Sequence, residues 1–235
     1  MSITTTFVPE LARLVARKDR DGFVNRASLG IRLVALLTFP ASAALFALRR
    51  PIVGLLFAHG KFTAADALVT SRALGGFAIG LIGFSVYLFV LRGFYAHQDT
   101  RTPFVINLVE CILNVIFAIV LVGRYGVLGL GLAFGLAYLV CAVWALQILN
   151  FKVPGFAMRS LFGDLARMLL AAIVGGEIMW FVMRAVPTTN DGLAALVRLI
   201  PAGTIGIAAY LALLKALAIP ELDDLTRLVR RRRRA

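Results

Sequence analysis

The sequence predicts an all-α fold, a polytopic membrane bundle of about six transmembrane helices. Three observations carry this reading. The 235-residue chain is 60% hydrophobic and 16% charged, against about 45–50% and about 25% in soluble domains. Its mean hydropathy is +0.89. Its apolar residues gather into six runs of roughly the 20 residues a helix needs to cross a bilayer, with charged or turn-forming residues between them.

The elements follow in order. Residues 1–26 read as the end of a preceding helix and a cytoplasmic connection, a short apolar stretch running into basic residues. The stretch MSITTTFVPELAR has no basic n-region and no small-residue cleavage site, so it does not read as a signal peptide. The first span is 27–48, with LVALLTFPASAALFAL, and the second is 70–91. Thr63 and Asp66 precede that second span as a capping box. The third span is 103–122, where Thr102 is expected to cap and Pro103 to take the first helical position. The fourth is 127–149, completing a block of four spans over 27–149. Two further spans, 163–186 and 193–219, make up the block 150–219, and 220–235 is a basic tail. Pro40 and Pro201 fall inside spans and should kink them, which neighbouring helices tolerate by satisfying the freed carbonyls. Gly76 with Gly80, and Gly131 with Gly135, have the spacing of close helix packing.

The net charge of +13 would point to nucleic acid in a soluble protein. Here the basic residues stand at the ends of apolar runs, as in proteins that fix their orientation in a membrane. No nucleic-acid partner is expected. One side collects Arg13, Arg17, Lys18, Arg20, Arg26, Arg92, Arg101, Lys152, Arg159, Arg227 and Arg230 through Arg234; the other has Arg49, Arg50, Lys61, Arg124 and Arg184. The richer side is expected in the cytoplasm, with both termini. The tail RLVRRRRRA reads as a topological stop signal or as a contact for anionic lipids. Cys111 and Cys141 lie inside apolar runs and read as small buried residues.

Charge inside a span is costly and draws functional interest. Asn107, Glu110 and Asn114 recur at i, i+3, i+7 on one face of the third span, as a transport path or an interhelical hydrogen bond would need. Glu177 stands mid-way along the fifth span, with Arg184 seven residues on, too far for a direct pair. Between the second and third spans lies RGFYAHQDTRTP, residues 92–103. Arg92 and Arg101 mark a membrane face there, and Asp99 is placed to accept backbone N–H groups in a turn. The stretch reads as a turn, or as a gate that shifts during alternating access. No HExxH, GxSxG, Walker or dinucleotide motif occurs. The expectation is no enzyme, no catalytic residue, no cofactor and no metal site.

PIVGLLFAHGKFTAADALVTSRAL (51–74) followed by RGFYAHQDTRTP (92–103) resembles the MurJ/MviN family of lipid II flippases, and FVPELARLVARKDRDGF (7–23) resembles the connection before that family's ninth helix. That family belongs to the multidrug/oligosaccharidyl-lipid/polysaccharide exporter superfamily. The resemblance implies helices nine to fourteen of a fourteen-helix, two-lobed transporter, namely the second lobe plus two additional C-terminal helices. It implies peptidoglycan precursor transport across the bacterial inner membrane, for cell-wall biogenesis and cell shape. The implied partners are the lipid-linked precursor and a first lobe whose cavity arginines have no counterpart here. Asn114 matches one residue of the family's sodium site, but Ala118 stands where its Asp would be, so no sodium site is expected. The last two helices, about 163–219, would form a groove for the lipid tail. The alternatives are another polysaccharide-lipid or drug exporter of the superfamily, or a membrane scaffold that transports nothing.

Overall fold

The computed structural model describes residues 3–187, 193–217 and 219. The basic tail expected at 220–235 lies outside the described residues. Eight helices occur among them: α1 (Ile3–Ala16), α2 (Arg20–Ala47), α3 (Arg49–Phe57), α4 (Ala64–Ala96), α5 (Arg101–Tyr125), α6 (Val127–Lys152), α7 (Met158–Ala185) and α8 (Ala194–Ala216). Six of them (α2, α4, α5, α6, α7 and α8) are long and apolar enough to cross a membrane. They coincide with the six runs read from sequence.

Start signals act as the sequence implies at α4. Thr63 N–H donates to Asp66 Oδ2 at 2.9 Å and Asp66 N–H returns to Thr63 Oγ1 at 3.3 Å, closing the capping box. At α5 the expected cap is corrected. The helix begins at Arg101, before Thr102, and the capping oxygen is that of Asp99. Pro103 still lies in the first turn, where a missing N–H is harmless.

The two proline-bearing spans remain helices. Pro40 cannot donate to the carbonyl of Leu36, four residues earlier. That carbonyl accepts instead from the buried Tyr210 hydroxyl of α8, at 2.9 Å. A neighbouring helix thus completes the backbone that the proline leaves open, as the absence of water in a bilayer requires. Ser42 Oγ ties α2 to α4 in the same way, donating to the Ala78 carbonyl at 2.5 Å.

Apolar burial does not drive helices together in lipid, so close packing must. The most extensive contact joins α4 to α6. Their two glycine pairs face each other: a Cβ on Gly76 would sit 2.8 Å from the Gly131 Cα, and one on Gly80 would sit 2.9 Å from the Gly135 Cα. The backbones touch, and any side chain at these positions would separate them. Helices α7 and α8 use the same device, with Gly175 against the Gly206 carbonyl.

Helix α5 is different. It packs on α6 and barely on α4, and Phe104, Ile112, Ile119 and Val120 on its outer side are exposed, Ile119 by 74%. Cys111 lies on this exposed helix and is itself exposed, contrary to the expectation of burial; Cys141 is buried, and both are free thiols.

Candidate functional site

The segment 92–103 is mostly helix. Arg92 lies in α4, half-buried, because nothing from Arg92 to Ala96 breaks the helix and Phe94 and Ala96 are buried. Only residues 97–100 form the turn. Helix α4 ends with Gln98 in the left-handed region at φ 58°, with Gln98 N–H bonded to the Tyr95 carbonyl and Asp99 N–H to the Phe94 carbonyl, both at 3.0 Å. This is the Schellman arrangement, usually built on glycine. Asp99 then turns the chain into α5: its Oδ1 accepts from Thr102 N–H at 3.0 Å and its Oδ2 from Thr102 Oγ1 at 2.7 Å. Lys152, at the end of α6, donates to the same Oδ2 at 2.5 Å and to Thr102 Oγ1 at 2.6 Å. The junction of α4 and α5 is therefore fastened to α6. Arg101 is exposed at the first position of α5.

The junction of α1 and α2 repeats this design. Lys18 has φ 56°, Lys18 N–H and Asp19 N–H reach back to Val15 and Leu14, and Asp19 Oδ1 accepts from Gly22 N–H at 2.9 Å. The two turns sit together, since Phe23 meets His97 edge-on with ring centres 4.6 Å apart. His97 Nδ1 lies 2.9 Å from the Gly93 carbonyl.

The Asp99 carboxyl is held well below the usual carboxylate range, first by the hydrogen bond from Lys152 and then by the Thr102 N–H. A depressed folded-state pKa contributes stability that is complete above the unfolded value of about 3.9 and is lost as pH falls through the folded one. Protection of the amides at residues 99–102, taken relative to their intrinsic exchange rate at each pH, is therefore expected to stay constant from neutral pH to about 4 and to fall only below it. Asp99→Ala should destabilise this turn at neutral pH by about 1 kcal/mol, the usual worth of a cap. Asp99→Asn, which keeps the capping acceptor, should cost less. Equal exchange in wild type and Asp99→Ala would contradict the capping role.

Asn107, Glu110 and Asn114 separate in their surroundings. Asn107 is exposed, Asn114 half-buried and Glu110 buried. Glu110 Oε2 accepts from Cys111 Sγ at 3.7 Å, and the Tyr138 hydroxyl of α6 is directed at the carboxyl. Its Oε1, like the hydroxyl of buried Tyr87 in α4, has no hydrogen-bond partner among the described residues. The stripe runs from the exposed side of α5 into its seam with α6. Ala118, one turn beyond Asn114, supplies no side-chain oxygen.

Glu177 belongs elsewhere. It lines a cleft of about 470 Å³ between α2, α4 and α7, with Phe39, Ser42, Ile79 and Ile82 opposite and Arg49 at its rim. Arg184, as expected, does not reach it and lies over the Trp180 ring at 4.6 Å instead. Helices α7 and α8 meet closely at Gly175 and Gly206, and among the described residues this cleft is lined from α2, α3, α4 and α7.

Two features escape the sequence. Lys152 reads there only as an orientation signal, because its partners are about 50 residues away. Arg32 and Asp164 lie inside predicted spans and pair across α2 and α7 at 2.8 Å, with Ser160 and Arg167 beside them. Their signal was present as two opposite charges within apolar runs, each too costly to leave alone in a membrane.

Comparison with known proteins gives one answer. The family described as lipid II flippase MurJ matches residues 1–190. A probable lipid II flippase MurJ from Vibrio cholerae is 28% identical over 230 residues, covering 96% of this chain and 43% of that protein. The lipid II flippase MurJ of Thermosipho africanus is 26% identical over 211 residues, covering 90% of this chain and 40% of that one. A solved structure described as lipid II flippase MurJ in an inward closed conformation superposes with a TM-score of 0.69 at 25% identity, over 92% of this chain and 42% of that one. The chain thus spans less than half the length of these relatives. Six apolar spans in the same arrangement make it a multi-pass membrane protein. The motif match, the sequence relatives and the superposed fold converge, and the chain belongs to the lipid II flippase MurJ family.

Proposed function

We propose that this chain is the C-terminal part of a lipid II flippase, carrying lipid-linked peptidoglycan precursor across the bacterial inner membrane by alternating access, with no bond made or broken. The observation that carries the reading is the agreement of 92% of the chain with a solved flippase of this family. The exposure of α5 supports a two-lobed arrangement. A helix with a buried glutamate on one side and an exposed asparagine beside it suits the wall of a passage closed by another lobe. Asn107, Glu110 and Asn114 would line that passage, and Glu177 would face the lipid cleft. Arg92, Asp99 and Arg101 would lie at its cytoplasmic mouth, where the Asp99–Lys152 fastening lets α4, α5 and α6 move as one body. The excess of Lys and Arg at that end supports cytoplasmic termini.

The test is rescue of bacteria depleted of their own flippase. Co-expression of this chain with the N-terminal lobe of a family member should restore growth and rod shape, and this chain alone should not. Failure of the pair, with both pieces inserted in the membrane, would overturn the reading.

A further inference from the structure

The seam of α5 with α6 holds a carboxyl that the fold does not complete. Glu110 is 3% exposed, and its Oε1 has no hydrogen-bond partner among the described residues. Groups from three helices surround it. Cys111, next along α5, donates from Sγ to its Oε2, and the Tyr138 hydroxyl of α6 is directed at the carboxyl. Tyr87 of α4 has its ring centre 5.2 Å from that of Tyr138. It is 1% exposed, and its hydroxyl also lacks a partner among the described residues. Cys141 of α6 spans the same seam, its buried Sγ 4.0 Å from the Ile106 carbonyl of α5. The titratable groups facing Glu110 are thus two phenols and two thiols, and no Lys, Arg or His pairs with it among the described residues.

An ionised carboxylate only accepts hydrogen bonds. With one oxygen unfilled and apolar helix around it, its charge would stand unbalanced where water is excluded. A metal cation or a proton could balance it. A hard metal cation needs several oxygens. The described residues bring together no group of three acidic, His or Cys side chains that could hold one, Asn107 is exposed, and Ala118 supplies no side-chain oxygen. A proton needs a single oxygen. On Oε1 it makes the carboxyl a neutral donor, and the Tyr87 hydroxyl is the unfilled acceptor of the same cluster. One addition then gives both atoms a partner.

We propose that Glu110 is a proton-binding site: a proton taken from water onto Oε1 holds α5 against α6, and its return to water accompanies opening of the seam. Helix α5 suits such a motion, since it packs on α6 and barely on α4. Water would first enter at the exposed Asn107, one turn of α5 from Glu110. The closed seam binds one proton more than the open seam, so acid favours closure and alkali favours opening. Only the O–H bond forms and breaks. The site belongs to the seam and does not need the transport reading; in a two-lobed transporter it would tie each opening of α5 to the release of one proton.

Infrared difference spectroscopy of the full chain in nanodiscs, between neutral and alkaline pH, reads the proton directly. At neutral pH the carbonyl stretch of a protonated carboxyl is expected, lost in Glu110→Gln and retained in Glu177→Gln. Tyr87→Phe should keep the band and shift its frequency, because a hydrogen bond of the carboxyl is gone. Cys141 reports the seam. In Cys111→Ser, which keeps a donor for Oε2, Cys141 is the remaining thiol of the chain's two, and its rate of modification by a neutral maleimide measures opening. Dividing that rate by the rate in the same background with Glu110→Gln removes the thiol's own pH dependence. The ratio should rise with pH, toward about tenfold per pH unit, the limit for release of one proton. A flat ratio, or the absence of a protonated-carboxyl band that Glu110→Gln removes, would overturn the proposal. Loss of the band at constant pH when sodium chloride replaces choline chloride would assign the site to a metal cation and refute its assignment to a proton.

Discussion

Gly131→Leu is expected to leave almost no chain in its native form. The glycine faces Gly76 so closely that an added Cβ would lie 2.7 Å from that residue's Cα and carbonyl carbon. A leucine there meets backbone, not a side chain that can rotate away. Helices α4 and α6 must therefore part along their length, and the contacts of Gly80 with Gly135 and of Gly83 with the Leu139 backbone go with them. Ordinary overpacking costs about 1–3 kcal/mol, and loss of a whole helix seam should exceed the upper figure. Size-exclusion chromatography in mild detergent should show a single symmetric peak for wild type and, for the variant, aggregate. Gly203→Leu is the matched control, because nothing lies within 4 Å of a Cβ at that position. It should elute as wild type. A monodisperse Gly131→Leu would mean that the seam is not what holds these helices.

The second large effect is expected at Asp164. Its side chain is 14% exposed and that of Arg32 is 21% exposed, and they meet at 2.8 Å between α2 and α7. Removing one partner breaks a largely buried, hydrogen-bonded ion pair, at a cost of about 3 kcal/mol or more. Asp164→Asn should lower the thermal midpoint by about 6–12 °C for a domain of this size. The paired change Arg32→Met with Asp164→Leu should recover most of that loss, since no uncompensated charge remains. A double variant as unstable as the single one would show that the ion pair itself, and not the unbalanced charge, carries the effect.

The sequence was most legible where bilayer chemistry leaves little choice. The six spans follow from apolar length alone, and the Thr63 and Asp66 box follows from local spacing. Helix α1 was anticipated as the end of a preceding helix, whereas the short helix α3 is not legible in this way, because 9 residues fall below any span criterion. The glycine spacing was visible on α4 and α6, but which helix each pair would meet depends on the fold. Pro40 likewise announced a freed carbonyl without naming Tyr210, which lies 174 residues from Leu36.

The candidate site was read less completely. Glu110 was found because a carboxyl in a span is conspicuous, yet spacing alone set it equal with Asn107, and the fold buries one and exposes the other. Asp99 was legible as a turn acceptor, whereas Lys152, its ionic partner, was not.

The central claim is that these helices form one side of a passage and carry cargo only when the other side is present. The most direct measurement is translocation of fluorescently labelled lipid II in proteoliposomes, read as protection from a membrane-impermeant quencher. Vesicles holding this chain together with the N-terminal lobe of a family member should translocate the lipid. Vesicles holding this chain alone should match protein-free vesicles. Translocation by the chain alone, or none by the assembled pair, would contradict the account.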